Sequence, residues 1–199
     1  AILGFTQLLT ASPSLTPEQR NNLEIIEESG EHLLGLINDI LELSKIESGQ
    51  VMIENQSFDL HSFLRRIGDM FRLRAENKGL KFEVAWRSDV PRYVRTDEGR
   101  LRQVLINLLG NAVKFTESGS VALRVRSLVS KLEPRLHFEV DDTGPGIAPD
   151  EYEMIFTPFV QSALGRQQSQ GTGLGLPISQ QFVRLLGGEL TFESETNRG

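Results

Sequence analysis

The amino-acid sequence predicts an α+β fold, in which a helical-hairpin stalk precedes a two-layer α/β sandwich with a mixed sheet. One long helical pattern occupies residues 17–46, whereas the chain beyond residue 51 interleaves short alternating segments with amphipathic helical ones. This interleaving lacks the strict βαβ alternation of a parallel sheet, which favours helices on one face of a mixed sheet. We therefore predict two domains, at residues 1–50 and 51–199.

The stalk is predicted from capping residues and from a heptad-like apolar pattern. Residues 1–11 are short and apolar, and Thr16 is placed to cap a helix with Pro17 at its first position. Spacings of three and four separate the seam positions Leu23, Ile26, Gly30, Leu33, Ile37, Ile40 and Ser44, of which Gly30 and Ser44 are weak. A hairpin this thin cannot cover its own apolar face. We expect two chains to form a four-helix bundle; alternatively, the face packs on the following domain.

Periodicity in the second domain predicts its strands, its helices and one long loop. Alternating residues predict strands at 51–55, 81–86, 120–129, 135–142 and 190–194, with a hairpin turn at 130–134. Helical patterns cover 59–77, 98–115 and 177–186. Residues 142–175 are rich in Gly, Gln, Ser and Pro, and the segment is far longer than an ordinary connection. We expect a functional lid or a disordered segment there.

Composition excludes several classes of function. A formal charge of −6 argues against a nucleic-acid partner or an anionic-membrane binder, since both need clustered Lys and Arg. The absence of cysteine excludes disulfides, thiolate catalysis and Cys-ligated zinc. No apolar run approaches the roughly 18 residues of a membrane helix, so we expect no membrane contact from this part. We expect a cytoplasmic fragment of a longer protein, since the chain begins in mid-pattern, whether or not its parent is membrane-anchored.

A glycine run, "QGTGLGLPIS" at 170–179, directly precedes a helical pattern. Its spacing fits neither a dinucleotide-binding fingerprint nor a P-loop, which ends in Gly-Lys-Ser or Gly-Lys-Thr. Backbone N–H groups of residues 172–176 and the helix dipole could still bind phosphate oxygens. The alternative is a plain mobile loop.

Two further segments carry polar side chains suited to a nucleotide. In "VDDTGPGI", Asp142 ends a strand before a glycine turn, where it can accept from the exocyclic amine of adenine or simply close an Asx-type turn. Asn107 and Asn111 share one helix face, flanked by Arg100, Gln103 and Lys114. Buried amides need partners, so a ligand or Mg²⁺ would satisfy them. The alternative is ordinary surface asparagine.

Four segments in this order resemble the N, G1, F and G2 boxes of the histidine kinase catalytic and ATP-binding domain, of the GHKL or Bergerat ATPase fold. They are "NLLGNAVKFT", "DDTGPGI", "IFTPFVQ" and "GTGLGLPIS". The resemblance covers nearly the whole chain and implies that the sandwich is of the GHKL ATPase type. It also implies that residues 1–50 are the dimerisation hairpin and that 51–199 bind ATP.

The resemblance implies a role for each matching residue. Asn107, Asn111 and Lys114 form the catalytic set: Asn111 ligates Mg²⁺, Asn107 lines the triphosphate and Lys114 meets phosphate. Phe156 and Phe159 anchor the lid, and Arg166 within it is a candidate for contacting the γ-phosphate. The remaining nucleotide-binding residues are Phe115, Asp142, Gly144, Gly146, Ile147, Phe159, Gly171, Thr172, Gly173, Leu174, Gly175 and Leu176.

The same resemblance implies a sensor histidine kinase core that transfers the γ-phosphoryl group of Mg-ATP to a histidine, for relay to an aspartate of a response-regulator receiver domain. Related ATPases carry a glutamate base where this chain has Asn107, and asparagine cannot take a proton at neutral pH. We therefore expect poor hydrolysis, which disfavours a topoisomerase-type ATPase. The alternative is a non-catalytic nucleotide-binding dimerisation scaffold.

The family's acceptor histidine lies in a His-Glu-x-x-Thr-Pro type motif that this sequence lacks. "AILGFTQLL" resembles the residues immediately after it, and His32, His61 and His137 all lie in other contexts. We therefore expect the acceptor to be absent from this chain, which is truncated before it. We also expect the last strand of the domain to be missing, which would leave a sheet edge open.

Overall fold

A computed structural model of the chain describes residues 2–10, 12, 15–128, 135–161 and 172–199. The chain divides into two compact units, residues 1–51 and 52–199. The dimerisation and nucleotide-binding roles of the two parts stay predictions. The hairpin turn expected at 130–134 lies outside the described residues.

The first unit consists of two helices, α1 (Ile2–Thr10) and α2 (Pro17–Glu47). Thr16 caps α2 in a capping box: its hydroxyl accepts from the Gln19 N–H, and its own N–H donates to the Gln19 side chain. The predicted start of this helix is therefore confirmed. Gly30 lets α1 approach closely, because a Cβ there would lie 2.7 Å from Cδ2 of Leu3.

Large apolar side chains of this unit remain exposed, as the heptad-like pattern leads one to expect of a hairpin that is too thin to cover them. They are Ile2, Phe5, Leu8, Leu9, Ile25, Ile26, Leu33, Leu34, Ile37, Ile40 and Leu41. Apolar surface on this scale marks an interaction face.

The second unit alternates strands and helices in the order β1 (Gln56–Asp59), α3 (Leu60–Asn77), β2 (Lys81–Trp86), β3 (Tyr93–Thr96), α4 (Glu98–Phe115), β4 (Ser120–Leu128), β5 (Arg135–Asp142) and α5 (Gly175–Leu185). A short 3₁₀ turn, Pro149–Glu151, precedes α5. The helices expected at 59–77 and 98–115 are confirmed, with Asp59 and Asp97 as their N-caps.

The main sheet is mixed, in the order β2-β4-β5: β2 and β4 are parallel, and β4 and β5 are antiparallel. The strands β1 and β3 form a separate antiparallel pair. Side chains of α3, α4 and the sheet form one core, whose largest fully buried members include Phe63, Phe71, Leu105, Leu109 and Leu123. The predicted α+β class with a mixed sheet is confirmed, and α5 packs against α4.

Two predicted strands are wrong. The strand expected at 51–55 is absent; β1 begins at Gln56 and pairs with β3, which sequence patterning missed. The Glu54 N–H donates to the carboxylate of Asp97 at 3.0 Å. This segment is therefore hydrogen-bonded to the N-cap residue of α4 and not to a neighbouring strand.

The strand expected at 190–194 is likewise absent from the structure. Side chains hold this segment in place: the Phe192 ring packs against the rings of Tyr152 and Phe156, and the Tyr152 hydroxyl donates to the Ser194 carbonyl at 2.6 Å. The helix before this segment is displaced from its predicted bounds, since α5 spans Gly175–Leu185 and not 177–186. The missing last strand stays a prediction.

Candidate functional site

Both ends of α4 are fixed by polar side chains. At its start the buried Asp97 accepts from the N–H groups of Arg100 and Glu54. At its end the Lys78 ammonium donates to the carbonyls of Val113 (2.9 Å) and Lys114 (2.8 Å). A cation at a helix C-terminus is favoured by the helix dipole. Sequence reasoning missed Lys78 as a positioning group; its place in a turn just after α3 was the available signal.

Asn107 belongs to α4, and its side chain contacts α5. Its Nδ2 donates to Oγ of Ser179 at 2.9 Å, and Ser179 is only 2% exposed. Its carbonyl oxygen faces Gly175 so closely that a Cβ there would overlap it, and would lie 2.9 Å from Cγ of Asn107. The predicted N and G2 boxes therefore meet through this one side chain.

The last turn of α4 carries the other predicted catalytic residues. Asn111 is half-buried, and the Lys114 ammonium lies 4.9 Å from the centroid of the Phe115 ring. Burial lowers the pKa of Lys114. Among the described residues no cluster of three or more His, Asp or Glu side chains could hold a metal ion. An amide oxygen such as that of Asn111 fits Mg²⁺ only with phosphate oxygens and water as further ligands.

The turn after β5 places Asp142 beside the end of α4. Its Oδ1 accepts from the Gly144 N–H at 2.9 Å, so the Asx-type turn is present. Among the described residues, no hydrogen bond reaches the second oxygen, Oδ2. A Cβ on Gly144 would lie 2.7 Å from Asp142 Oδ1 and 3.3 Å from Oγ1 of Thr116. Thr116 is the last residue of the predicted N box, so the N and G1 boxes lie side by side here.

Gly146 and Ile147 continue this turn toward the C-terminal segment. Gly146 has φ +68°, a left-handed conformation that favours glycine. The Ile147 N–H donates to Oγ of Ser194 at 2.8 Å. Ser194 thus holds the backbone of Ile147, which is predicted to bind the nucleotide, and sequence analysis gave Ser194 no role.

The described parts of the F and G2 boxes are joined through their backbones. The Phe159 N–H donates to the Gly173 carbonyl at 3.1 Å, and both residues have positive φ, +65° and +68°. A Cβ on Gly173 would lie 2.9 Å from the carbonyl carbon of Phe159. Leu174 is fully buried, and its N–H donates to Oγ1 of Thr172. Leu176 lies in the first turn of α5.

The residues expected to anchor a lid differ in their contacts. The Phe156 ring packs on the Phe192 ring, with centroids 5.9 Å apart, whereas Phe159 is 60% exposed. Gly171 and Arg166 lie outside the described residues.

The three histidines lie in different surroundings. His61 lies within 3.1 Å of the Val90 carbonyl, and its ring is 5.2 Å from that of Trp86. His137 lies in β5, where Nδ1 accepts from Arg126 at 3.3 Å. His32 is exposed on α2, in the first unit.

Two family models match the chain. The model described as "Histidine kinase-, DNA gyrase B-, and HSP90-like ATPase" matches residues 96–199, and "His Kinase A (phospho-acceptor) domain" matches residues 1–49. The second range contains His32. The match therefore gives no support to the expectation that the acceptor is absent from this chain.

Curated relatives match over the full chain. Signal transduction histidine-protein kinase BarA of Escherichia coli (strain K12) is 39% identical over 201 residues, which cover 100% of this chain and 22% of BarA. Aerobic respiration control sensor protein ArcB of the same strain is 39% identical over 200 residues, covering 100% of this chain and 25% of ArcB. The chain thus spans a quarter or less of these relatives.

Among solved structures, full-length ShkA in complex with AMPPNP is similar, with a TM-score of 0.76 and 39% sequence identity. The likeness covers 94% of this chain and 38% of ShkA. In the described part of the chain, no helix is both long and apolar enough to cross a membrane.

Proposed function

Since the chain belongs to the family of histidine kinase-, DNA gyrase B- and HSP90-like ATPases, we propose that it is the ATP-binding catalytic core of a sensor histidine kinase. The observation that carries this proposal is the contact of Asn107 with Ser179 and Gly175, which joins the N and G2 boxes around one site. The identity to BarA and ArcB over the whole chain favours this use of the fold over the others in the family.

The ligand of this site is ATP in our proposal, and the AMPPNP of the similar ShkA complex is an ATP analogue. Asp142 accepts from the adenine amine through Oδ2, while Oδ1 shapes the turn. Ile147 and Phe115 flank the base. Backbone N–H groups of residues 172–176 at the start of α5 take phosphate oxygens, because a helix N-terminus is electropositive.

Mg²⁺ accompanies the nucleotide and, when bound, neutralises charge that develops on the phosphates during transfer. Asn111 supplies the protein ligand through its amide oxygen. Lys114 meets a phosphate, and its partial burial makes that contact stronger, because the ammonium has already lost part of its hydration.

Phosphoryl transfer, and not hydrolysis, is the proposed outcome. Asn107 has no basic atom that could take a proton from water. Its Nδ2 is moreover occupied as a donor to Ser179. Water therefore has no base at this position, and the attacking group in our proposal is a histidine nitrogen, as in this family.

We further propose that two chains pair through the exposed apolar face of α1 and α2, since isolated helices with this much exposed apolar surface need a partner. The phosphorylated histidine would then pass its phosphoryl group to a response-regulator receiver domain in the cytoplasm. A non-catalytic nucleotide-binding scaffold would keep the dimer and the ATP site but no transfer.

The acceptor histidine is proposed to lie outside these residues. His61 and His137 are engaged in the second unit, whereas His32, within the matched phospho-acceptor range, is exposed. His32 is therefore the one competing acceptor to be tested.

An assay of labelled phosphoryl transfer tests both the kinase activity and the identity of the acceptor histidine. The chain, with and without about two further helical turns of its natural N-terminal sequence, is mixed with γ-labelled Mg-ATP. We expect an acid-labile, base-stable label on the extended chain, which Asn111→Ala and Asp142→Ala abolish and His32→Gln retains.

Other results would contradict specific parts of the proposal. A label on the unextended chain that His32→Gln removes would make His32 the acceptor. Tight Mg-ATP binding with no label on either form favours the scaffold. Steady ATP turnover without labelled protein favours the ATPase.

A further inference from the structure

Ser179 is a buried hydroxyl with a defined partner beside the proposed phosphate site. It lies in the second turn of α5, is 2% exposed, and accepts from Asn107 Nδ2 at 2.9 Å. A buried hydroxyl is costly unless it is paired, so its presence here among apolar neighbours has a specific consequence. The sequence analysis assigned residues 171–176 of this motif to the nucleotide and gave Ser179 no role.

The contact fixes which end of the Asn107 amide points where. Nδ2 is directed to Ser179, and the carbonyl oxygen is directed to Gly175 at the N-terminal end of α5. Asparagine has a donor end and an acceptor end of nearly equal shape, so only its hydrogen bonds select the orientation. The Ser179 hydroxyl oxygen accepts the hydrogen bond from the amide nitrogen, and an alanine at this position would have no acceptor.

The orientation decides which ligand atoms Asn107 can attract. A carbonyl oxygen facing the phosphates can bind a hard cation or accept from its water, and it repels a bare phosphate oxygen. The opposite orientation would present N–H donors to phosphate and would favour nucleotide without metal. The amide orientation therefore affects metal dependence more than overall affinity.

We propose that Ser179 is a positioning residue: its hydroxyl holds the acceptor end of Asn107 toward the phosphate site and so makes nucleotide binding dependent on Mg²⁺. The proposal rests on the proposed ATP-binding function. Ser179 itself touches neither nucleotide nor metal and acts only through Asn107.

The test is calorimetric binding of AMPPNP to the full chain, once with Mg²⁺ and once with EDTA. Ser179→Ala should weaken binding about 10-fold with Mg²⁺, the effect of one lost hydrogen bond in a buried site, and less than about 2-fold with EDTA. In an Asn107→Ala background, Ser179→Ala should change neither value by more than about 2-fold, because the shared contact is already gone.

Two further variants separate positioning from folding. Ser179→Thr keeps the hydroxyl and should keep the wild-type metal dependence, while Ser127→Ala makes the Ser-to-Ala change on β4 and should leave both constants unchanged. If Ser179→Ala does not fold, Ser179→Cys keeps the volume but offers only a weak acceptor, and it carries the same prediction.

Equal weakening with Mg²⁺ and with EDTA would overturn the proposal, since a merely structural role predicts that result. Wild-type behaviour of Ser179→Ala, or an undiminished effect in the Asn107→Ala background, would overturn it as well. A wild-type chain that binds no AMPPNP under either condition would refute the ATP-binding function itself, and this inference with it.

Discussion

Substitution of Gly175 by alanine tests the contact at the centre of the site. Gly175 is not among the described glycines with positive φ, so its backbone would accept alanine and only the surrounding space forbids it. A Cβ would overlap the Asn107 carbonyl oxygen and would lie 2.9 Å from Cγ and 3.1 Å from Nδ2 of the same side chain. Asn107 would have to rotate away, and its hydrogen bond to Ser179 would break.

The magnitude follows from three contributions. Loss of the hydrogen bond costs about 1 kcal/mol. Overpacking of a filled site costs about 1–3 kcal/mol. Higher helix propensity of alanine returns less than about 1 kcal/mol, because Gly175 is the first residue of α5. The free energy of unfolding of the second unit should therefore fall by about 1–4 kcal/mol.

Urea unfolding of the wild type and of two variants measures this change. The matched control is Gly110→Ala, inside α4, where a Cβ would meet no heavy atom within 4 Å. That variant should gain about 0.5–1 kcal/mol from helix propensity alone. If Gly175→Ala is as stable as Gly110→Ala, the close contact between α4 and α5 does not exist in solution.

Three other predictions concern charged groups. Lys78→Met should lower the free energy of unfolding by about 1 kcal/mol, because it removes a cation from carbonyls at the end of α4; unchanged urea unfolding would contradict this role. The Ser62 N–H, and after it Arg92, lower the pKa of Asp59 to about 2. This pKa lies below the unfolded value, so the stabilisation is present above about pH 4 and is lost as pH falls toward 2. Asp59→Asn should flatten the pH dependence of urea unfolding in that window, and an unaltered slope would refute the assignment. Burial lowers the pKa of Lys114, and a bound phosphate should raise it again. Mg-AMPPNP affinity should therefore already fall as pH rises toward the ordinary lysine pKa of about 10.4, and Lys114→Met should abolish the fall in calorimetric titrations; persistence of the fall in the variant would point to another group.

Elements with a local signal were predictable from the sequence. Capping residues and periodicity define α2, α3 and α4 almost to the residue, because each cap is a contact between residues three apart. The alternation in β2, β4 and β5 reports their place in the sheet in the same way. The fold class followed from these elements, since strands and helices that interleave without strict βαβ alternation favour a mixed sheet.

The failures share one physical cause, which is dependence on distant partners. Strand β3 was missed because it pairs with β1, which lies far away along the chain, as the pair Gln56 and Thr96 shows. Residues 190–194 alternate like a strand, yet Phe192 and Ser194 are held by Tyr152. Alternation shows which side chains are buried, but it does not show whether the backbone has an adjacent strand to which it can hydrogen-bond.

The glycines of the G2 box show the same limit within the functional site. Sequence reasoning assigned them to phosphate, because glycine permits close approach of a ligand. In the structure Gly173 makes room for the backbone of Phe159, and Gly175 makes room for the side chain of Asn107. Both approaches are between protein segments, and both are needed before any ligand arrives. These two glycines therefore join the F and N boxes to the start of α5, and the proposed phosphate site would depend on that assembly.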